Sequence, residues 1–404
     1  MTTGANRKGV VNLVAGQAIS VSGDLLLLTA ASIVVFERTD SATAVSLLLA
    51  IAALPTVVLG PLAGTLADWF PRRRILVVTD LSSAVACGVA LLLSRALSVE
   101  AAAFVSIAVV SALSAFYRPA AQALLPVLVS EEGLGRANSA IRLASSLAAI
   151  AGPAAAAFLT TRGGLELVLL VDAASFVVSA GLALMIQNVP PAAVSARRNA
   201  FRDAWAGLDY ARKSRNIRLV TTAIGVVLLA GTVVNAGTLP LVVRTLDLPD
   251  NRYGALLAIE GAGALALAVL MLAVGPGKRL LVTGSFALLG TGATTILLGG
   301  APTFGVAAAA LLLQGASVVA FQVAFASYLQ HEAEDAYRGR VMSLVGMVAS
   351  LAQLAGFAVA GPLIDAIGTR AAFLCAGIAV CAVAVPVVSL AFVSARTARE
   401  GGAA

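Results

Sequence analysis

The chain has 404 residues, 60% hydrophobic and 12% charged, with a mean hydropathy of +0.97. Soluble domains carry about 25% charged and 45–50% apolar residues. The composition therefore excludes a soluble globular protein and predicts an all-α membrane protein, with about a dozen spans of roughly 20 apolar residues each. The net charge of +7 comes without an aromatic-rich basic motif, so it reads as topology-setting charge beside a lipid bilayer and not as a nucleic-acid footprint.

Several chemistries drop out at the same stage. No GxxxxGK[ST] phosphate loop occurs, so no ATPase of that type is expected. Cys87, Cys375 and Cys381 sit in apolar runs without CxxC spacing and read as packing residues. The single histidine, His331, stands in an acidic stretch, which disfavours a zinc site and common acid–base enzymes. No cofactor or metal is expected. Arg7 and Lys8 precede a first apolar segment far longer than a signal-peptide core, so no cleavable signal is expected.

Twelve spans are predicted, at roughly 10–36, 42–67, 75–94, 100–125, 137–160, 165–187, 217–241, 253–274, 278–299, 302–329, 340–364 and 369–394. All-round apolarity rich in Ala, Leu, Val and Gly excludes half-exposed strands. In the first span Gln17, Ser20 and Asp24 share one helical face. An isolated carboxyl near mid-span is a functional candidate by default, and Asp24 reads either as a proton-coupling residue or as a structural aspartate hydrogen-bonded to a neighbouring helix. Between the second and third spans stands GPLAGTLADWFPRRR, residues 60–74. Its three arginines are too costly for hydrocarbon, so they predict a water-exposed loop. The fourth span contains Arg118 and the sixth Asp172, which are expected either to pair or to line a cavity. In the fifth, Gly152-Pro153 predicts a bend, because proline removes a backbone donor and glycine permits close helix contact.

The longest connection, 188–216, opens on Pro190-Pro191 and places Phe201, Trp205, Leu208 and Tyr210 against Arg and Lys. That spacing suits an amphipathic helix at the membrane surface. It divides the chain into an N-terminal half, 1–187, and a C-terminal half, 217–404, each of six spans. In the second half Asn235, Glu260, Gln314, Gln322 and Gln353 are candidates for lining a cavity or for joining helices. Phe321, Phe325 and Tyr328 fall at helical spacing and could serve a bulky amphipathic cargo or the core.

With both termini cytoplasmic, twenty of the 27 Lys and Arg residues lie at inner ends and loops, six lie outside, and Arg118 lies within a span. That bias sets the expected orientation. The halves are also related: Gly135-Arg136-x-x-Ser139 recurs as Gly339-Arg340-x-x-Ser343, and Ala151-Gly152-Pro153 as Ala360-Gly361-Pro362. Both offsets are near half the chain, which points to a parallel duplication.

The order Gly64, Leu66, Ala67, Asp68, Arg72, Arg73 resembles the loop 2–3 signature of the major facilitator superfamily. Trp69 stands where that family has a basic residue, and Pro71 where it has glycine. Gly152-Pro153 resembles the signature of the family's proton-driven exporters, with alanines in place of further glycines. Residues 116–142, through Pro119-Ala120, Leu124-Leu125-Pro126 and Ala137-Asn138-Ser139, resemble the branch of macrolide exporters and the enterobactin exporter. The later run Arg338-Gly339-Arg340-Val341, on to Gly361 and Asp365, is similar to the same branch, and the resemblance covers nearly the whole chain.

The resemblance implies a facilitator fold of two pseudo-symmetric six-helix halves in a bacterial cytoplasmic membrane. It implies export of a small organic compound, a drug, natural product or siderophore, in exchange for protons. The loop carrying Gly64, Asp68, Arg72 and Arg73 would be the cytoplasmic gate. Small-molecule cargo, protons and lipid are the expected partners of a monomer that is not an enzyme. The alternatives are an importer or uniporter, or a non-transporting receptor or assembly protein.

Overall fold

The computed structural model describes residues 3–96, 98–187, 208–209, 212–274, 280–335 and 337–400. The predicted amphipathic helix of the long connection lies mostly outside these residues. The fold is all-α, with no strand among the described residues.

The helices begin and end where local chemistry dictates. α1, Thr3–Thr39, stops at Asp40, which takes a positive φ of 43°. The next residue, Ser41, caps α2, Ala42–Trp69, by accepting from the Ala44 N–H at 3.2 Å. α3 is Arg72–Ala96. α4, Val99–Leu128, is capped by Ser98, which accepts from the Ala101 N–H at 3.1 Å.

The helical run Glu131–Leu184 is broken at Gly163 and Gly164. Gly164 has φ 57° and ψ −155°, a region closed to residues with a Cβ. The run is therefore two helices, α5 over 131–162 and α6 over 165–184.

α7, Arg215–Pro240, is capped by Ser214 and runs on into a π-helical turn, Leu241–Thr245. α8 is Asn251–Val274, α9 Leu280–Gly299, α10 Phe304–Glu332, α11 Arg338–Ile367 and α12 Thr369–Glu400. Only Gly368, at φ 83°, separates α11 from α12.

The chain forms two compact units, Met1–Ala196 with Leu248–Ala258, and Arg197–Asp247 with Ile259–Ala404. The start of α8 thus groups with the first unit. In that unit α1 packs along the α5–α6 run and on α4, α3 packs on α4 and on the α5–α6 run, and α2 packs on α4. In the second unit α7 packs on α11 and α12, and α9 on α10 and α12.

Small residues set these contacts, as expected where lipid gives no hydrophobic push between helices. Gly16 and Gly23, two turns apart on α1, lie against Ser179 and Asp172 of α6. Gly152 of α5 lies on the backbone of α1 at Ser22 and Leu26. Large apolar side chains such as Val85, Leu92, Phe286 and Val385 stand exposed on the outer helix faces, where lipid replaces water.

The basic stretch departs from expectation. Arg72, Arg73 and Arg74 form the first turn of α3 and not a loop, and only Phe70 and Pro71 separate α2 from α3. Cations at a helix N-terminus oppose its dipole. Arg72 is offset by tertiary contact: it is 8% exposed, and its Nη1 donates to the Ala123 carbonyl of α4 at 2.7 Å.

Candidate functional site

Asp24 stands on the α1 face opposite α4. Ser114 Oγ donates to Asp24 Oδ2 at 3.2 Å. Asp24 Oδ1 is buried with no hydrogen-bond partner. Arg118, one turn beyond Ser114 on α4, is exposed; its charge reaches Asp24, but it forms no ion pair with that residue at contact distance. Gln17 Oε1, on the same stripe of α1, is also buried and unpartnered, and Ser20 between them is buried. The polar stripe read from the sequence therefore presents acceptors to the interior of the unit.

Two further aspartates converge on this region. Asp80, on α3, is 2% exposed, and its Oδ2 has no partner. Ser179 of α6 is wholly buried. Its Oγ lies close to the Asp80 carboxylate and the Tyr117 hydroxyl but forms no well-shaped hydrogen bond with either. Asp80 and Asp172 each lie near enough to Asp24 to feel its charge. The sequence reading passed over Asp80, although the rule that selects Asp24 applies equally to it.

Asp172 is fully buried and fully held. Ser175 Oγ donates to its Oδ1 at 3.1 Å, and Cys87 Sγ approaches its Oδ2 at 3.7 Å. The suggested pairing of Asp172 with Arg118 is not what the structure shows: Arg118 acts on Asp24, while Asp172 is bonded by neutral donors. Cys87 is thus a donor as well as a packing residue, and Cys375 is exposed, contrary to the packing role read for it.

The candidates of the second unit separate into distinct roles. Gln314 is 4% exposed, and its side-chain amide is bonded by Thr294 and Thr295 of α9. It joins α9 to α10 and does not line a cavity. Phe321 and Phe325 are buried edge to face at 4.9 Å, and the Phe325 ring rests on Gly284 of α9, so these two belong to the core. Asn235, Gln322 and Gln353 are exposed. Glu260 is half-buried in the third turn of α8, and its backbone carbonyl meets Gly315 of α10. Arg244, in the π-helical turn, forms an ion pair with Asp365 of α11 at 3.0 Å. Asp365 had been noted only for its part in the resemblance.

At the α2–α3 turn, Gly64, Asp68 and Arg73 are half-buried. Pro153 follows Gly152 in α5, and its carbonyl faces Gly254 at the start of α8. No group of His, Cys, Asp and Glu suited to a metal ion occurs among the described residues.

Comparison with known proteins agrees with this layout. The chain is 25% identical over 378 residues to macrolide efflux protein A of Streptococcus pyogenes, covering 92% of this chain and 93% of that one. It is 27% identical over 410 residues to the multidrug efflux pump Tap of Mycobacterium tuberculosis, covering 97% and 94%. Among solved structures it superposes on a mutant of the nucleoside transporter NupG with a TM-score of 0.74 at 14% identity, covering 95% of this chain and 99% of that one. A bacterial homologue of the iron transporter ferroportin, in an inward-facing state, gives 0.72 at 18% identity, covering 94% and 98%. These structures share the fold. The sequence profile described as Major Facilitator Superfamily matches residues 13–353, from α1 into α11. A match of that extent, on a set of long apolar helices that carry buried carboxyls among the described residues, places the chain in the major facilitator superfamily as a transporter and not an enzyme.

Proposed function

We propose that this transporter exports a small amphipathic organic compound from a bacterial cytoplasm in exchange for protons, with Asp24 as the coupling carboxyl. The direction and cargo class rest on the macrolide and multidrug efflux relatives. The coupling role rests on one observation: Asp24 has one oxygen held by Ser114, the other buried and unpartnered, and Arg118 one turn further along α4. A bare carboxylate within a span is costly, so its charge state follows the water that reaches it from either side. Cargo that favours the deprotonated form ties the two fluxes together.

In the same reading the chain works as two six-helix halves, 1–187 and 217–404, divided by the cytoplasmic 188–216 connection. Gly64, Asp68 and Arg73 act at the cytoplasmic gate, and Arg72 holds that turn to α4. Gly152-Pro153 is the bend of α5. Both termini lie in the cytoplasm, and the unit of function is the monomer.

The test is accumulation of labelled amphipathic compounds in cells with and without the protein, combined with proton movement in vesicles when cargo is added. Asp24→Asn keeps the shape and the Ser114 bond but cannot release a proton. It is expected to abolish export against a gradient while leaving downhill exchange. Undiminished cargo-induced proton flux in Asp24→Asn would remove Asp24 from the coupling role.

A further inference from the structure

Of the polar side-chain atoms that are buried and unpartnered among the described residues, Gln17 Oε1, Asp24 Oδ1, Asp80 Oδ2 and Ser179 Oγ all lie on spanning helices of the first unit. Buried polar atoms are almost always bonded, and each exception needs an explanation. Two of these residues, Asp80 at 2% exposure and Ser179 at zero, are wholly enclosed in protein and adjacent to one another. Tyr117, 6% exposed on α4, brings its hydroxyl to the same serine. The result is a short row of three oxygens from three helices: Asp80 on α3, Ser179 on α6 and Tyr117 on α4.

We infer that Asp80 is a second proton-binding residue of the first unit, switched through Ser179 and Tyr117 and coupled electrostatically to Asp24. This rests on the reading of Asp24 as the coupling carboxyl and extends it.

The chemistry of the row supports two states. A serine or tyrosine hydroxyl both donates and accepts. The three groups are close but not bonded in this structure; with Asp80 ionised, a small shift lets Tyr117 donate to Ser179 and Ser179 donate to the carboxylate. When a proton from the aqueous phase binds Asp80, the carboxyl donates to Ser179, and Ser179 donates to the Tyr117 oxygen. One O–H bond forms on the carboxyl, each hydrogen bond reverses direction, and no other reactant is consumed. An apolar row or a lysine partner would favour one state only; this row suits both.

The charged and titratable groups facing Asp80 are Asp24 from α1 and Tyr117 from α4, with Ser179 as the neutral partner from α6. Arg118 lies beside Tyr117, Cys87 is bonded to Asp172 further along the α3–α6 contact, and the spanning part of α2 carries no titratable side chain. Two carboxylates in a weakly polarisable interior oppose each other's charge, so a proton on one eases ionisation of the other. Asp24 and Asp80 then titrate as a pair.

The experiment is difference infrared spectroscopy of the purified full-length protein across a pH titration, reading the protonated-carboxyl band. Parallel titrations use sodium and potassium salts. Wild type is expected to show a band with components from both residues. Asp80→Asn should remove one component and displace the titration midpoint of the other, and Asp24→Asn should do the converse. Ser179→Ala keeps the carboxyl and should shift the frequency and midpoint of the Asp80 component, which a merely structural serine would not do.

Loss of a component in Asp24→Asn but not in Asp80→Asn would overturn this inference and leave the coupling role of Asp24 standing. An unchanged band in both variants would overturn both. Independent midpoints would overturn the pairing, and a band displaced by sodium but not by potassium would overturn a proton site in favour of a cation site. Because no cargo is added, failure of the export reading alone leaves the outcome legible.

Discussion

Asp172 shows how a charged residue type can serve packing inside a membrane protein. Both its oxygens meet donors, and the carboxyl rests against Gly23 of α1, where a Cβ would overlap Asp172 Oδ1 and Ser175 Oγ. This contact joins α1 to α6 through a polar group, and it closes only because Gly23 has no side chain. Overpacking such a site costs about 1–3 kcal/mol. Gly23→Ala is therefore expected to lower the thermal unfolding midpoint of the detergent-solubilised protein. The control is Gly88→Ala on α3, where a Cβ meets nothing within 4 Å; it should unfold at the wild-type temperature or above, since alanine favours helix. Equal midpoints for Gly23→Ala and wild type would show that the α1–α6 contact yields without cost. Asp80 and Asp24 differ from Asp172 in having an oxygen left unbonded, and the proposed proton binding rests on that difference.

The individual helices were legible as apolar runs, and less so in the direction each face points; the caps and the break that set their ends come from the structure. Ser41, Ser98, Ser214 and Thr303 cap α2, α4, α7 and α10, and the Arg162-Gly163-Gly164 step divides α5 from α6 as the span boundaries require. The start of α3 was misread because arginines suggest a loop. Here the Arg72 bond to Ala123 holds the first turn. Facing direction was hidden because helices apolar on every side carry no amphipathic signal. Gln314 and Phe325 were therefore left open between lining a cavity and holding helices together, and their partners, Thr294 and Gly284, decide for the second. Gly152 is the clearest element-level case: a Cβ there would stand 2.8 Å from the Ser22 carbonyl oxygen and from Leu25 Cβ. Gly152→Ala is expected to push α5 away from α1 beside Asp24, lowering both thermal stability and transport. Gly181→Ala on α6, where a Cβ meets nothing within 4 Å, should leave both near wild type. Wild-type transport with unchanged stability in Gly152→Ala would show that the close approach is dispensable.

At the scale of the molecule, orientation comes from charge and not from packing. Each unit by itself is a bundle whose outer faces are apolar and whose helices would pack equally well in either direction across a bilayer. What breaks that symmetry is the distribution of Lys and Arg, which is strongly biased toward one set of loops. On that basis the α10–α11 connection is expected on the cytoplasmic side and the α9–α10 connection outside. Asp335, at the former, has a side chain 90% exposed, and Pro302, at the latter, is exposed as well. Single cysteines at Asp335 and Pro302, in a protein with Cys87, Cys375 and Cys381 replaced by alanine, test the assignment. Cys87 donates to Asp172, so membrane abundance of the cysteine-free background is measured first. If it falls, Cys87 is retained, since it is buried. An impermeant maleimide applied to intact cells should label the cysteine at Pro302 and spare the one at Asp335, and lysis should expose Asp335. Labelling of both in intact cells would break the twelve-span topology. Labelling of Asp335 alone would invert it, placing the basic first turn of α3 outside and removing its role as a cytoplasmic gate.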